Sequence, residues 1–431
     1  MIDLARPTTV RTALQGTSTG FDDPEQRCGS ATVLCMPRTA PFPAIRYAPQ
    51  TDLDAVIAPP YDVLAEVDVA ELAARDPHNI VHVDVPTPDA DGYDRSAQAL
   101  HQWLAEGVLV TDSEPSLTIY RMRFTDATGK DRTITGVLTG LEVVDLDAGG
   151  VLPHERTTPK AVTDRLDLTR ATATNTSPVW GLSLASGLSA ALAEPGEPMG
   201  HLSVEGVLHS VERITDPARI AAITDLLASD DVLIADGHHR YSISRSYRDE
   251  IRSATGRTDT AAEFTLAFIN ELIEDQLSIE AIHRVYTDID LEALRQRLAE
   301  FFDIEPAPAP DPSMLATMVA TDRLVLLAPD GSASWLTPKA AQFVGVRELD
   351  GAYLEHALAG LELTISYQHG LAQAQQRVTE GGASAAVLIR PTSLTEIRRT
   401  AREGLLMPPK STFFTPKLRT GLVMRPTAPL P

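Results

Sequence analysis

Apolar positions along the chain switch between a spacing of two and a spacing near 3.6, which predicts interleaved strands and helices. Ile80-Val-His-Val-Asp-Val85 puts Val81, Val83 and Val85 on one face and Ile80, His82 and Asp84 on the other, the pattern of a half-buried strand. Thr215-Asp216-Pro217 reads as a helix cap followed by proline in the first turn. Ile220, Ile223 and Leu227 mark one face of that helix, which stops near Ser229-Asp230. Val232-Leu-Ile-Ala235 follows as a short apolar strand. After Asp236-Gly-His-His-Arg240, a second helix carries Ile243, Tyr247 and Ile251 at i, i+4 and i+8. Further strands are expected at 264–269, 323–327 and 385–389. The predicted class is α/β or α+β with mixed sheets.

Breaks in this pattern suggest an organisation. Residues 1–40 show no sustained period and read as a flexible N-terminal extension. Ala193-Glu-Pro-Gly-Glu-Pro-Met-Gly200 reads as a loop, and the Pro/Ala run from Glu305 has the stiffness of an extended linker. The expected division is an N-terminal α/β lobe at 41–200, a lobe at 201–304, a linker at 305–313 and a C-terminal α/β lobe at 314–431.

Charge narrows the function. The 431 residues hold 37 Lys and Arg against 59 Asp and Glu, a formal charge of −22. That balance argues against an extended nucleic-acid surface and against binding to anionic lipid. No apolar run approaches the ~18–20 residues of a membrane-spanning helix, and the N-terminus lacks a signal-type apolar core. Cys28 and Cys35 are too few for a disulfide scaffold or a zinc site. A soluble cytoplasmic protein is expected. The scarce basic residues cluster at 156–170, 240–252 and 402–425, which suits a small anionic ligand better than an extended polyanion.

Asp236-Gly237-His238-His239-Arg240 is the most informative stretch. A buried strand runs into a glycine turn that opens a helix, and the helix start favours an anion through its N–H groups and dipole. Gly237 lets the backbone approach closely, Arg240 can grip an oxyanion with two nitrogens, and His238 and His239 offer a donor or proton shuttle. The same residues also fit a capped helix, with Asp236 as N-cap.

Other segments carry chemistry less locally. His154-Glu-Arg-Thr-Thr-Pro-Lys160 with Asp164-Arg165 mixes both charge signs within twelve residues. Glu155 or Asp164 could hold Mg²⁺, and Arg156, Lys160 and Arg165 could neutralise phosphoryl charge; a solvated loop is the alternative. Ala58-Pro-Pro-Tyr-Asp62 ends an apolar strand on a rigid turn, placing Asp62 as a general base, a metal ligand, or the cap of a helix around 64–72. His82 and Asp84 could pair on one strand face. Lys410 is a candidate phosphate contact, and Phe413 and Phe414 either stack on a base or anchor the tail to the core. No Walker-type motif, no Gly-x-Gly-x-x-Gly after a strand and no Gly-x-Ser-x-Gly elbow occurs.

These segments bring a resemblance. Ile234-Ala-Asp-Gly-His-His-Arg-Tyr241 resembles the signature of the bacterial domain of unknown function 1015 family. So do Val56–Val63, Asn79–His82, His154–Thr157 with Asp164-Arg165, Ser278–Arg284, and Met407–Phe414 with Pro416-Lys417, in the same order. The likeness spans roughly residues 41–426. The Asp-Gly-His-His-Arg box is also similar to the phosphate-binding box of the ParB/sulfiredoxin superfamily, which includes CTP-binding partition proteins, ATP-using sulfiredoxins and free-serine kinases. That resemblance implies a phosphate-binding core embedded in a larger multi-lobe chain. Gly237, His238, His239 and Arg240 would hold phosphate, with Asp236 beside the transferring group. It implies a phosphotransferase acting on free serine, with ATP, ADP or pyrophosphate as donor and Mg²⁺ bridging its phosphates. Asp62 or Asp236 would be the base, His238 a participant, and Lys160 or Arg165 the stabilisers of charge. A ParB-like nucleotide-binding regulator or scaffold, and a phosphate-ester hydrolase, are the alternatives.

Overall fold

The computed structural model describes residues 36–126, 129–145, 148–153 and 162–428. Among them the largest sheet has nine strands. Its order is Val151–Leu152, Val232–Asp236, Val179–Ser183, Phe264–Glu271, Asp131–Glu142, Leu117–Thr125, Val207–Ile214 and Glu197–Val204, with Thr39–Ala40 pairing beside Asp131–Glu142. The sheet is mixed: Val232–Asp236 runs parallel to Val151–Leu152 and antiparallel to Val179–Ser183.

The site-bearing strand is apolar on both sides because both faces of the sheet are covered. Leu233 and Ala235 join one buried cluster with Trp180 and Phe268, while Val232 and Ile234 join a second with Leu227 and Tyr241. Each fully buried Leu or Ile contributes roughly 1.5–3 kcal/mol relative to exposure. Gly181 allows close strand packing, since a Cβ there would fall 2.7 Å from a Val232 methyl carbon.

The helix expected after Thr215 spans Pro217–Leu227, and the Asp216 carboxylate caps it by accepting from Arg219 N at 2.7 Å. The later strands expected at 264–269, 323–327 and 385–389 occur as Phe264–Glu271, Leu324–Leu327 and Ala385–Leu388.

The expected strand at 80–85 is instead a one-turn helix, Val81–Asp84. Asn79 starts it: its side-chain oxygen accepts from Val81 N, and its amide donates to the Ala55 carbonyl. His82 is exposed and Asp84 is buried, so the expected pair on one strand face does not form.

A second sheet has six strands in the order Phe302–Ala307, Ala333–Pro338, Leu324–Leu327, Ala385–Leu388, Ile282–Thr287 and Thr364–His369. Its neighbouring pairs are antiparallel, with apolar clusters centred on Leu298 and Leu336 and on Met318 and Leu388.

Both sequence-expected breaks lie partly in strands. Strand Glu197–Val204 begins inside the stretch read as a loop, and strand Phe302–Ala307 contains Pro306 of the expected linker. Proline is tolerated there because the strand is at the sheet edge and pairs on one side only.

The C-terminal segment packs back against the first sheet and forms two small two-stranded sheets. Phe413–Thr415 pairs with Ser278–Glu280, and Arg425–Pro426 pairs with Thr174–Asn175. Leu418 and Leu422–Met424 enter the same buried cluster as Ile45 and Trp180. Among the described residues no helix is long and apolar enough to cross a membrane.

Candidate functional site

Asp236 is the last residue of its strand, Gly237 turns the chain with φ +86°, and His238 begins a helix that runs to Thr255. A Cβ at position 237 would lie 3.1 Å from the guanidinium carbon of Arg240, so both the positive φ and the close approach call for glycine. The cap is therefore Gly237 and not Asp236. His238 and His239 are the first two helical residues, both half-buried.

The Asp236 carboxylate is held from two sides. Arg240 Nη2 donates to one oxygen at 2.6 Å, and Lys417 Nζ donates to the other at 2.9 Å. Burial alone would raise this carboxyl. The Lys417 ammonium and the Arg240 guanidinium outweigh it and hold the group well below the usual carboxylate range. The other terminal nitrogen of Arg240 donates to the Pro178 carbonyl. Arg240 thus spends both terminal nitrogens on the protein, where an open fork was expected. Burial works against its charge, and Asp236, Asp62, Tyr61 and Asp84 more than offset it, leaving the pKa raised.

The turn gathers several of the expected residues. Tyr61 and Asp62 lie on a short 3₁₀ turn, Tyr61–Val63, with Asp62 exposed. Asp62 does not cap the next helix: that helix is Glu66–Arg75, where Asp68 accepts from Ala65 N at 2.8 Å. Burial first, then Asp62, push the Tyr61 hydroxyl up to about 12, while Arg240 and Arg165 pull it down. The Arg165 guanidinium lies 4.1 Å from the Tyr61 ring centre and 3.5 Å from Asp84, and donates to Asp164 at 3.0 Å. Lys410 is exposed with φ +57°; its charge acts on Asp236, and its carbonyl accepts from Arg284 at 3.0 Å.

Asp164 has one oxygen engaged by Tyr93 Oη at 2.8 Å and the other by Arg165. Those partners fit an ion-paired carboxylate better than a metal ligand. Among the described residues no group of three or more His, Cys, Asp or Glu side chains could hold a metal ion. Glu155, Arg156 and Lys160 lie outside the described residues.

Sequence reasoning did not assign Lys417, Tyr61 or Asp84 to the site. Lys417 and Tyr61 stand in motifs already marked by their resemblance. Asp84 was marked only as a possible partner of His82; the one-turn helix turns it instead onto Arg165 and Thr176. The C-terminal aromatics divide: Phe414 is buried and packs 5.6 Å from the Trp180 ring, while Phe413 stacks on His369 at 4.6 Å and carries Lys417 at 4.2 Å.

Fold and site together define a mixed α/β protein with a dense ionic cluster on a strand–turn–helix. The chain belongs to the family described as "Protein of unknown function (DUF1015)", whose family model matches residues 39–352. Comparison with curated proteins gives no match. Among solved structures the chain is similar to a free serine kinase in complex with AMP, at 13% identity and a TM-score of 0.37, covering 67% of this chain and 92% of that one. It is also similar to a conserved hypothetical protein from Pyrococcus furiosus, at 13% identity and a TM-score of 0.36 over 67% and 95% of the two chains. SbnI with a C-terminal truncation, from Staphylococcus aureus, gives 13% identity and a TM-score of 0.36 over 66% and 85%.

Proposed function

We propose that the protein is a small-molecule phosphotransferase, moving a phosphoryl group from ATP, ADP or pyrophosphate to the hydroxyl of free serine. The observation that carries this reading is the ion-paired cluster of Asp236, Arg240 and Lys417 at one glycine turn, with the charges of Asp62 and Lys410 acting on it. The resemblance of that turn to a nucleotide-phosphate box supports it.

In this reading the donor phosphates lie against the helix start at Gly237 to Arg240, where N–H groups and the dipole favour negative charge. His238 and His239 flank them, and Lys410 and Lys417 add compact positive charge. Arg240 and Arg165, both steadied by carboxylates, supply further positive charge around the acceptor. Phosphoryl transfer depends chiefly on positioning and electrostatics, which such a cluster provides. The serine oxygen bonds to phosphorus as the bond to the leaving phosphate breaks, and the hydroxyl proton goes to a carboxylate. Asp236 is a weak base because Lys417 and Arg240 hold it ionised, so the role falls to Asp62 on its rigid turn. Magnesium enters only as a companion of the donor phosphates, and no step is routed through it.

Incubation with L-serine and each donor in turn, read by mass spectrometry, tests this. Phosphoserine with at least one donor is expected. Donor binding without phosphoserine would replace the reading with that of a nucleotide-binding regulator.

A further inference from the structure

Against Arg240 lies a small cleft of about 40 Å³, partly open to solvent, with Tyr61, Asp84, Arg165, Thr169 and Thr176 in its walls. Its charged walls carry both signs. The Arg165 and Arg240 side chains are each 9% exposed, and Asp84 is 2% exposed. One Asp84 oxygen accepts from the Thr176 hydroxyl at 2.6 Å and lies 3.5 Å from Arg165. Its other oxygen accepts no hydrogen bond among the described residues. A carboxylate that lines the cleft with one oxygen unpaired takes a donor, and a cationic donor serves best.

The two signs restrict the guest. A phosphate or polyphosphate would meet the Asp84 carboxylate, and a simple amine would meet two guanidinium groups. A zwitterion satisfies both walls at once. Tyr61 stacks on Arg165 and so fixes the plane of its guanidinium. Asp62, the next residue, acts on Arg240 from the same turn.

We propose that this cleft seats the acceptor by the zwitterionic head of a free α-amino acid, its ammonium on Asp84 and its carboxylate on Arg165. The assignment of an acceptor role rests on the phosphotransferase reading of the neighbouring turn; the binding itself does not.

Calorimetry on the full chain with L-serine and no phosphate donor tests it. L-serine binds and L-alanine competes, whereas N-acetylserine, lacking the ammonium, and serinamide, lacking the carboxylate, bind at least about tenfold more weakly. Asp84→Asn lowers serine affinity roughly ten- to a hundredfold, the scale of one charged hydrogen bond. If Asp84→Asn fails to fold, Thr169→Phe decides, because it narrows the cleft without touching a charge; loss of serine binding supports the proposal. Absence of serine binding, N-acetylserine binding as tightly as serine, or unchanged affinity in the folded variants overturns it. Serine binding without phosphoserine from any donor keeps the cleft and removes the phosphotransferase. Undiminished phosphoserine formation by Asp84→Asn does the reverse.

Discussion

Lys417 Nζ stands 2.9 Å from Asp236 Oδ1, joining residues 181 apart in sequence. The contact ties the C-terminal segment to the strand that carries the glycine turn. Both side chains are mostly buried, at 15% and 22% exposure, so removing the lysine leaves a carboxylate with half its compensation. Lys417→Ala is expected to lower the unfolding free energy at pH 7 by about 2 kcal/mol. Asp236 is more acidic folded than unfolded, so its stabilising contribution is complete above the unfolded value near 4 and is lost as pH falls through the folded value. Urea denaturation should therefore show the difference between wild type and variant shrinking in acid.

Arg240 bridges the Pro178 carbonyl and Asp236, which needs the planar fork of a guanidinium. Arg240→Lys keeps the charge and cannot make both bonds. Affinity for the phosphate donor, measured by calorimetry, should fall about ten- to a hundredfold. The far-ultraviolet circular dichroism spectrum should be retained.

Gly237→Ala meets two obstacles, a φ of +86° and an Arg240 guanidinium 3.1 Å from the new Cβ. The backbone term alone costs roughly 1–2 kcal/mol. A lowered denaturation midpoint together with weakened donor binding is the expected outcome. Full stability with normal binding would show that the turn does not need glycine.

His209 is fully buried, and its Nδ1 lies 2.7 Å from the Tyr120 hydroxyl. Burial first, then Arg419, lower its pKa to about 3 from 6.5. The folded state therefore resists a proton that the unfolded chain accepts. Stability should be full above about pH 6.5 and fall towards pH 3, by at most about 1.4 kcal/mol per pH unit from this group. His209→Gln should flatten that slope in urea titrations taken at successive pH values. A residual slope should come from His283, which is also held near 3, mainly by burial.

The strand–turn–helix was legible in sequence because three independent signals coincide there: an apolar run, a glycine and an apolar stripe at helical spacing. The mixed α/β class followed from the same switching of period. Other features depended on partners far along the chain. The alternation of Ile80–Val85 suggested a strand, yet Asn79 bonds to Ala55 and Val81 and turns the segment into helix. A single turn is too short for its periodicity to compete. The same helix buries Asp84, which gave no local sign of facing a cleft. Pro306 suggested a linker, although an edge strand accommodates it equally well. Lys417 stood within a recognisable segment, but its partner on another element could not be read from local pattern.

In the proposed reading, phosphoryl transfer to serine takes place at the Gly237 turn with Asp62 as base. Phosphorus NMR of the protein with L-serine and ATP, ADP or pyrophosphate tests it most directly, run in parallel on wild type and Asp62→Asn. A phosphoserine resonance is expected to grow as one donor is consumed, and to grow roughly a hundredfold more slowly in the variant, the usual scale of general-base loss. No phosphoserine from any of the three donors, or an equal rate in Asp62→Asn, would contradict it.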